Sequence, residues 1–308
     1  MKLARAVEQY IGLKKSLGFR FRTQSRALRA FSRAMGKVTV GRVKSAKARA
    51  YLDGQGPMTT AWIQRWRTLR RFYAYAIARG IAHVSPLPLR APKVVQTFTA
   101  YIYSEQDLRK LLDAVTPERT KGISPQTMRT LLLLLYGAGL RLSEALNLED
   151  SHVDLNDCVL QVQRSKFFKS RLVPIGPKLA KVLADYARGR PSISGSHQRF
   201  LRTERGGRLH FSTLGEIFRA VCQAARVQRT DGSRYQPRLH DLRHSRATHC
   251  LLAWYRDGAD VQNLLPQLSA YLGHVRIIDT AHYLTITPEL RQQASERFAR
   301  YALRGGHE

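Results

Sequence analysis

A chain of 308 residues with 44% hydrophobic content is long enough for one large domain or two moderate ones, and too apolar to be disordered along its whole length. Lys+Arg number 52 against Asp+Glu 22, a formal net charge of +30, and the basic residues are spread along the sequence, so the charge is not that of a basic tail. A polyanionic partner is expected, and nucleic acid fits better than a membrane surface, for which one basic amphipathic helix or a lipidation signal would be the mark.

Leu3, Val7, Tyr10 and Ile11 recur at helical spacing, and after a turn around Gly18 a second stripe of Leu28, Phe31 and Met35 stops at Gly36. Ser45 is placed to cap a third helix over Ala46 to Leu52. Past Gly54-Gln55-Gly56-Pro57 a long fourth helix carries Trp62, Trp66, Leu69, Tyr73 and Ile77 on one face, which reads as core. Beside it Arg65, Arg67, Arg70 and Arg71 read as a DNA-binding face that tracks phosphates, with a solvated surface as the alternative. Gly80 ends this helix, and Pro86, Pro88 and Pro92 mark the best linker, so domains are expected at 1–93 and 94–308.

Ser104-Glu105-Gln106-Asp107 reads as a helix start with a capping acid, and Pro125 to Tyr136 as the central helix of the second domain. Gly137 to Glu144 breaks one helix and starts another, which puts Arg141 at a turn with backbone amides nearby, where an anion can be held. Cys158 to Val162 and Arg171 to Ile175 alternate as paired strands, with Arg164 to Ser170 as a hairpin carrying Lys166 and Lys169. A helix over Pro177 to Ala187, a third strand at Arg199 to Leu201, and a helix capped by Thr213 with Glu216 three residues later follow. His240 opens a helix toward Trp254, Tyr271 to His274 ends another, and Tyr283 lies on or beside a short one. Thr287-Pro288-Glu289 starts a final helix to Leu303. The fold class is mainly α with a small β-sheet.

Cys158, Cys222 and Cys250 lie far apart and read as reduced core residues. The N-terminus leads into a charged amphipathic segment, and the longest apolar run, Leu131 to Leu140, is too short to cross a bilayer, so a soluble, intracellular protein is expected, which places it in the cytoplasm.

Between Arg238 and Leu284 the chain gathers Leu239-His240-Asp241-Leu242-Arg243-His244-Ser245, then Leu272-Gly273-His274, then Tyr283. Arginine grips two phosphate oxygens without losing its charge, histidine moves protons near neutral pH, and tyrosine forms covalent links, so this set suits phosphate chemistry without a metal or other cofactor. His240, His244 and His249 do not read as a zinc site, because no cysteine pair or carboxylate completes one and a helix cannot easily aim all three at one ion.

These residues resemble the tyrosine recombinase family, the phage-integrase and Xer-type enzymes, across nearly the whole chain. Gly139-Leu140-Arg141-Leu142-Ser143-Glu144-Ala145-Leu146 looks like the family's first arginine box, the segment from Leu239 to Ser245 like its H-x-x-R box, and Leu272-Gly273-His274 like its second histidine box. Tyr283 follows at the separation expected of the nucleophile, and Lys166 resembles the catalytic lysine, with Lys169 as its alternative. The resemblance implies catalytic roles for Arg141, Lys166, His240, Arg243, His274 and Tyr283, with Glu144 supporting the first arginine box from behind. The stretch between Arg243 and His274, with Pro266 inside it, is longer than is usual in the family, and its path is not assigned.

The resemblance also implies an N-terminal helical, SAM-like core-binding domain, a C-terminal catalytic domain, and a basic clamp around DNA. The expected activity is site-specific strand cleavage and rejoining through a 3′-phosphotyrosyl intermediate. Type IB topoisomerase-like relaxation and a catalytically silent DNA-binding accessory protein are the alternatives. The expected partners are double-stranded DNA with specific recombination sites and a homo-tetramer, or a hetero-tetramer with related recombinases, assembled on it. No membrane is expected among the partners. In the last helix Leu290, Ala294, Phe298 and Tyr301 share a face that either packs within the chain or docks on a neighbouring subunit.

Overall fold

The structure is a computed structural model that describes residues 1–54, 60–92, 99–120, 122–163, 170–190, 198–233, 235–285, 289–290, 292–296 and 299. The chain divides into two compact units, Met1–Gln96 and Thr97–Glu308.

The first unit is helical. Helix α1 (Leu3–Ser16) buries Leu3, Val7, Tyr10 and Ile11, and α2 (Arg22–Met35) buries Leu28, Phe31 and Met35, as the stripes predict. Helix α2 stops at Gly36, whose φ of +80° costs glycine little. Helix α3 (Ser45–Asp53) begins one residue earlier than expected. Ser45 is its first helical residue and Lys44 stands at the cap without a side-chain bond, so the predicted serine cap is corrected. A residue already in the helical turn cannot take the flanking geometry that a cap needs.

Helix α4 (Thr60–Ala78) buries Trp62, Trp66, Leu69 and Tyr73. Ile77, expected on this face, is 40% exposed, because at 3.6 residues per turn the stripe passes through Phe72 and Ala76 instead. Each buried indole finds an acceptor: Trp62 Nε1 donates to Asp53 Oδ1 at 2.8 Å, and Trp66 Nε1 donates to the Pro88 carbonyl at 3.0 Å.

In the second unit α5 (Glu105–Asp113) carries the predicted capping box between Ser104 and Asp107, and α6 (Pro117–Thr120) is a single turn. Helix α7 (Pro125–Gly137), capped by Ser124, is the centre of the core: Met128, Leu131, Leu132, Leu134 and Leu135 are all buried. A short α8 (Leu142–Ala145) follows. Strands β1 (Val153–Asp154), β2 (Val159–Val162) and β3 (Arg171–Pro174) form an antiparallel sheet in the order β1-β2-β3, with Leu160 opposite Val173.

The predicted third strand at Arg199 to Leu201 is corrected. Arg199 makes only an isolated bridge to Glu149, and Phe200 and Leu201 are both buried, which is not the alternation of a two-faced strand. Strand β2 starts at Val159 because Cys158 takes a left-handed φ of +53°.

Helix α9 (Pro177–Gly189) covers α7. Helix α10 (Phe211–Ala224) has His210 at its cap and Thr213 inside its first turn, so the predicted threonine cap is also corrected. Helix α11 (Leu239–Arg256) packs along α7, and α12 (Val261–Leu272) follows it. The long stretch between Arg243 and His274 is therefore the remainder of α11, a turn at Gly258 with φ of +69°, and all of α12, with Pro266 inside it. A last turn, α13 (Ile278–Ala281), runs into a 3₁₀ turn, His282–Thr285, that holds Tyr283.

Residues 289–290, 292–296 and 299 are helical. Leu290 is buried in its own chain against the cluster that contains Tyr283. Lys166, Lys169, Thr287, Pro288, Phe298 and Tyr301 lie outside the described residues. Among those described, no helix is long and apolar enough to cross a membrane.

Trp62 joins the α4 core face to the end of α3. Replacing Trp62 by Ala is expected to cost about 3–5 kcal/mol through the cavity it leaves. Urea unfolding followed by circular dichroism measures this, and an unchanged midpoint would contradict the packing described.

Candidate active site

The second unit converges on the C-terminal end of α12. A helix ends in carbonyls that have no backbone donors of their own. Here Gly273, with φ of +67°, turns the chain so that its N–H and that of His274 bond back to Ala270 and Ser269, while the last carbonyls point at arginines. Arg171 Nε donates to the Tyr271 carbonyl at 2.9 Å, Arg243 Nη2 donates to that of Leu272, and Arg141 Nη2 donates to that of Gly273 at 2.7 Å. Consecutive carbonyls thus receive arginines from separate elements, and the negative end of the helix dipole favours all of them.

The arginines sit where local sequence puts them. Arg141 is the cap residue of α8, after the break that Gly139 makes with φ of +59°. Arg171 opens β3. Arg243 lies inside α11, is 1% exposed, and also donates to the Gly139 carbonyl. A side chain at Gly139 would put its Cβ 2.9 Å from Leu272, so the approach of that loop to the α12 terminus requires glycine.

Glu144 is the counter-ion. Its Oε1 accepts from Arg141 Nη1 at 2.7 Å, and its two oxygens take Arg171 in a bidentate pair at 3.0 and 2.9 Å. Arg243 Nη1 stands 3.8 Å away. Burial pushes the Glu144 pKa up, but the bonds and charges of Arg171 and Arg141 outweigh it and hold the carboxyl down at about 2. Burial, followed by the charge of Arg141, pulls Arg243 down to about 10. Three guanidiniums against one carboxylate leave an excess of positive charge in a largely buried place, which is a strong anion site.

Tyr283 stands beside it, only 3% exposed. Its hydroxyl is 3.0 Å from His244 Nδ1, and its ring lies against His274 with centroids 6.1 Å apart. Burial raises the phenol pKa, while Arg243 and Arg141 act to lower it. His274 Nδ1 is fixed by Thr280 Oγ1 at 2.7 Å. His240 and His244, one turn apart on α11, meet edge to face with centroids 4.8 Å apart. Burial is the first cause lowering all three imidazoles: His244 falls to about 3, with His240 and Arg243 adding to the effect, and His274 to about 4, with Arg243 and Arg141 adding. These shifts favour neutral histidines and a protonated phenol at neutral pH.

Arg141, His240, Arg243, His274 and Tyr283 are thus brought together by the fold, and Lys166 and Lys169 lie outside the described residues. His249 points elsewhere, to the Tyr136 hydroxyl at 2.9 Å, and among the described residues no three His, Cys, Asp or Glu side chains gather as a metal set. In the first unit Arg67, Arg70 and Arg71 are exposed on α4, with Arg70 stacked over Trp66, whereas Arg65 is half-buried and donates to the Tyr51 carbonyl at 3.2 Å.

Sequence reasoning missed two residues of this site. His244 carries a signal that could have been used, since it lies four residues after His240 on the same helical face. Arg171 carries none, because its distance in sequence from Glu144 and Tyr271 conceals contacts that only tertiary packing creates.

The model of the Phage integrase family matches residues 102–289. The chain is 37% identical over 301 residues to the Sinorhizobium fredii protein named integrase/recombinase y4rE, covering 96% of this chain and 95% of that one. Among solved structures, the Tn1549 transposon integrase in complex with transposon right end DNA superposes with a TM-score of 0.72 at 16% identity, over 97% of this chain and 100% of that one. A lambda integrase tetramer bound to a Holliday junction superposes with a TM-score of 0.68 at 17% identity, over 92% and 77%. With the family model spanning most of the second unit and a relative matched nearly end to end, the chain belongs to the phage integrase family, the tyrosine-type site-specific recombinases.

Proposed function

We propose that this recombinase cuts and rejoins double-stranded DNA at specific sites with Tyr283 as nucleophile. The observation that carries the reading is the convergence of Arg141 and Arg243, with positive charge in excess, beside a buried tyrosine flanked by histidines. A phosphodiester resists attack because its charge repels the nucleophile and builds on its oxygens in the transition state. Arg141 and Arg243 would grip those oxygens and neutralise them.

The Tyr283 oxygen forms the new bond to phosphorus as the bond to the 5′ oxygen breaks. The phenol proton passes by way of His244, whose Nδ1 is 3.0 Å from the hydroxyl, to His240 or His274, whose pKa values rise once a phosphate brings its negative charge among them. Lys166 supplies a proton to the departing 5′ oxygen, and Glu144 holds Arg141 from behind. The 3′-phosphotyrosine conserves the bond, so a 5′ hydroxyl from another strand reverses the step without a cofactor.

The helical unit before residue 94 is proposed as the core-binding domain, with Arg67, Arg70 and Arg71 following phosphates and Arg65 bracing α4 against Tyr51. Residues 94–308 are proposed as the catalytic domain. Paired cleavage of two duplexes calls for a tetramer on DNA, of this chain alone or with a related recombinase, and the fold it shares with the lambda integrase tetramer supports that assembly. Its proposed place of action is the cytoplasm, on the nucleoid.

Incubated with nicked duplexes made from the DNA that flanks its own gene, the protein should form a covalent protein–DNA species that survives SDS electrophoresis. Tyr283→Phe should bind the same duplexes and form none. An adduct that persists in Tyr283→Phe, or none in the native protein, would overturn the reading.

With a net charge of +30, DNA affinity should also fall steeply with salt, by roughly 10³-fold between 50 and 200 mM if about six or more phosphates are contacted. Fluorescence anisotropy across a salt series measures the slope, and a flat response would count against DNA as the polyanion.

A further inference from the structure

We infer that Arg171 is a positioning residue of the reaction, the side chain that locks the Arg141–Glu144 pair to the end of α12 and so sets where the phosphate is gripped. The inference deepens the proposed function and rests on it. Arg171 uses its whole guanidinium: both terminal nitrogens take the two oxygens of Glu144, at 3.0 and 2.9 Å, and Nε takes the Tyr271 carbonyl at 2.9 Å. No other side chain described here bonds both the Glu144 carboxylate and the α12 terminus in this bidentate way. Arg141 meets each with a single nitrogen.

The space is fitted to it. A Cβ on Gly273 would lie 2.7 Å from Arg171 Nη1 and 2.9 Å from its central carbon, so the residue before His274 has room for the guanidinium only because it is glycine. The side chain of Arg171 is 12% exposed, against 22% for Arg141. Arg171 is thus the more enclosed of the two, and all three of its guanidinium nitrogens are already engaged, so Arg141 is the one better placed to meet a ligand. Without Arg171, Glu144 keeps the Arg141 backbone N–H, one Arg141 guanidinium nitrogen and a looser approach from Arg243, and the α12 terminus is held to the pair only by the single bond from Arg141 to the Gly273 carbonyl.

The groups that face Glu144 are Arg141 from the cap of α8, Arg171 from β3 and Arg243 from α11. Arg171 is the first of these in holding the carboxyl ionised against burial. Its removal should therefore raise the Glu144 pKa above the native value of about 2.

The test is the first-order rate of covalent adduct formation at saturating protein, on the nicked flanking-DNA duplex that the native protein cleaves. Arg171→Ala should slow that step by about 10- to 100-fold through misplacement of the phosphate grip, with DNA affinity unchanged within about twofold. Arg171→Lys should recover little, since an ammonium cannot make the bidentate pair and the Tyr271 bond together. Glu144→Gln and Arg171→Ala combined should lose no more than the worse single variant, and the acid limb that Arg171→Ala introduces into the pH–rate profile should vanish in the double variant.

Full rate in Arg171→Ala, additive losses in the double variant, or rescue by lysine would each overturn the inference. If Arg171→Ala shows no cooperative melting transition, Arg171→Lys decides the question alone, by the same rate and affinity. A native protein that forms no adduct removes the recombinase reading itself, whereas a native adduct with an indifferent Arg171 removes only this inference.

Discussion

Everything at the site depends on how the end of α12 is closed. The carbonyls of Tyr271, Leu272 and Gly273 point out of a helix with no backbone partners left, and Arg171, Arg243 and Arg141 satisfy one each. Like charges at such spacing repel, and burial first and then the charge of Arg141 lower the pKa of Arg243 to about 10. The cluster persists because a helix terminus and one buried carboxylate, Glu144, face it from within. The charge they leave uncompensated is what a phosphodiester would meet.

That closure also explains how the rest of the second unit is packed. The arginines arrive on a helix cap, a strand and a helix interior, so α8, β3, α11 and α12 must all be fixed before the site exists. The leucine-rich α7 is their common support, since α8 continues from it and α11 lies along it. The two close approaches, at Gly139 and at Gly273, have no room for a side chain. Tyr283 shares a hydrophobic cluster with Ala247, Leu251, Leu272 and Leu290, so the proposed nucleophile is held by the core as well as by His244.

Much of this was legible in the residues. The stripes of α1 and α2 and the Ser104–Asp107 box follow from local rules that need no neighbour, and they stand where those rules put them. The two misplaced caps share one cause. Ser45 and Thr213 are good caps by type, but the helices begin at Ser45 itself and at Phe211, so neither residue stands in the flanking position a cap needs. Ile77 lies off the core face because the buried stripe at the end of α4 runs through Phe72 and Ala76 instead. The long path from Arg243 to His274 resolves into α11, a glycine turn and α12, a course that Pro266 obscures in sequence because proline argues for an interruption where the helix continues.

The fold class, the order of the boxes that carry Arg141, His240, Arg243, His274 and Tyr283, and the charge that points to DNA can all be read from the chain alone. Those are properties of residue type and spacing, which survive without coordinates. Packing settled that Arg171 joins Arg141 on Glu144, that His244 reaches the Tyr283 hydroxyl, and that burial lowers the imidazole pKa values. Those depend on burial and on distances between elements far apart in the chain, and neither quantity exists until the helices have packed.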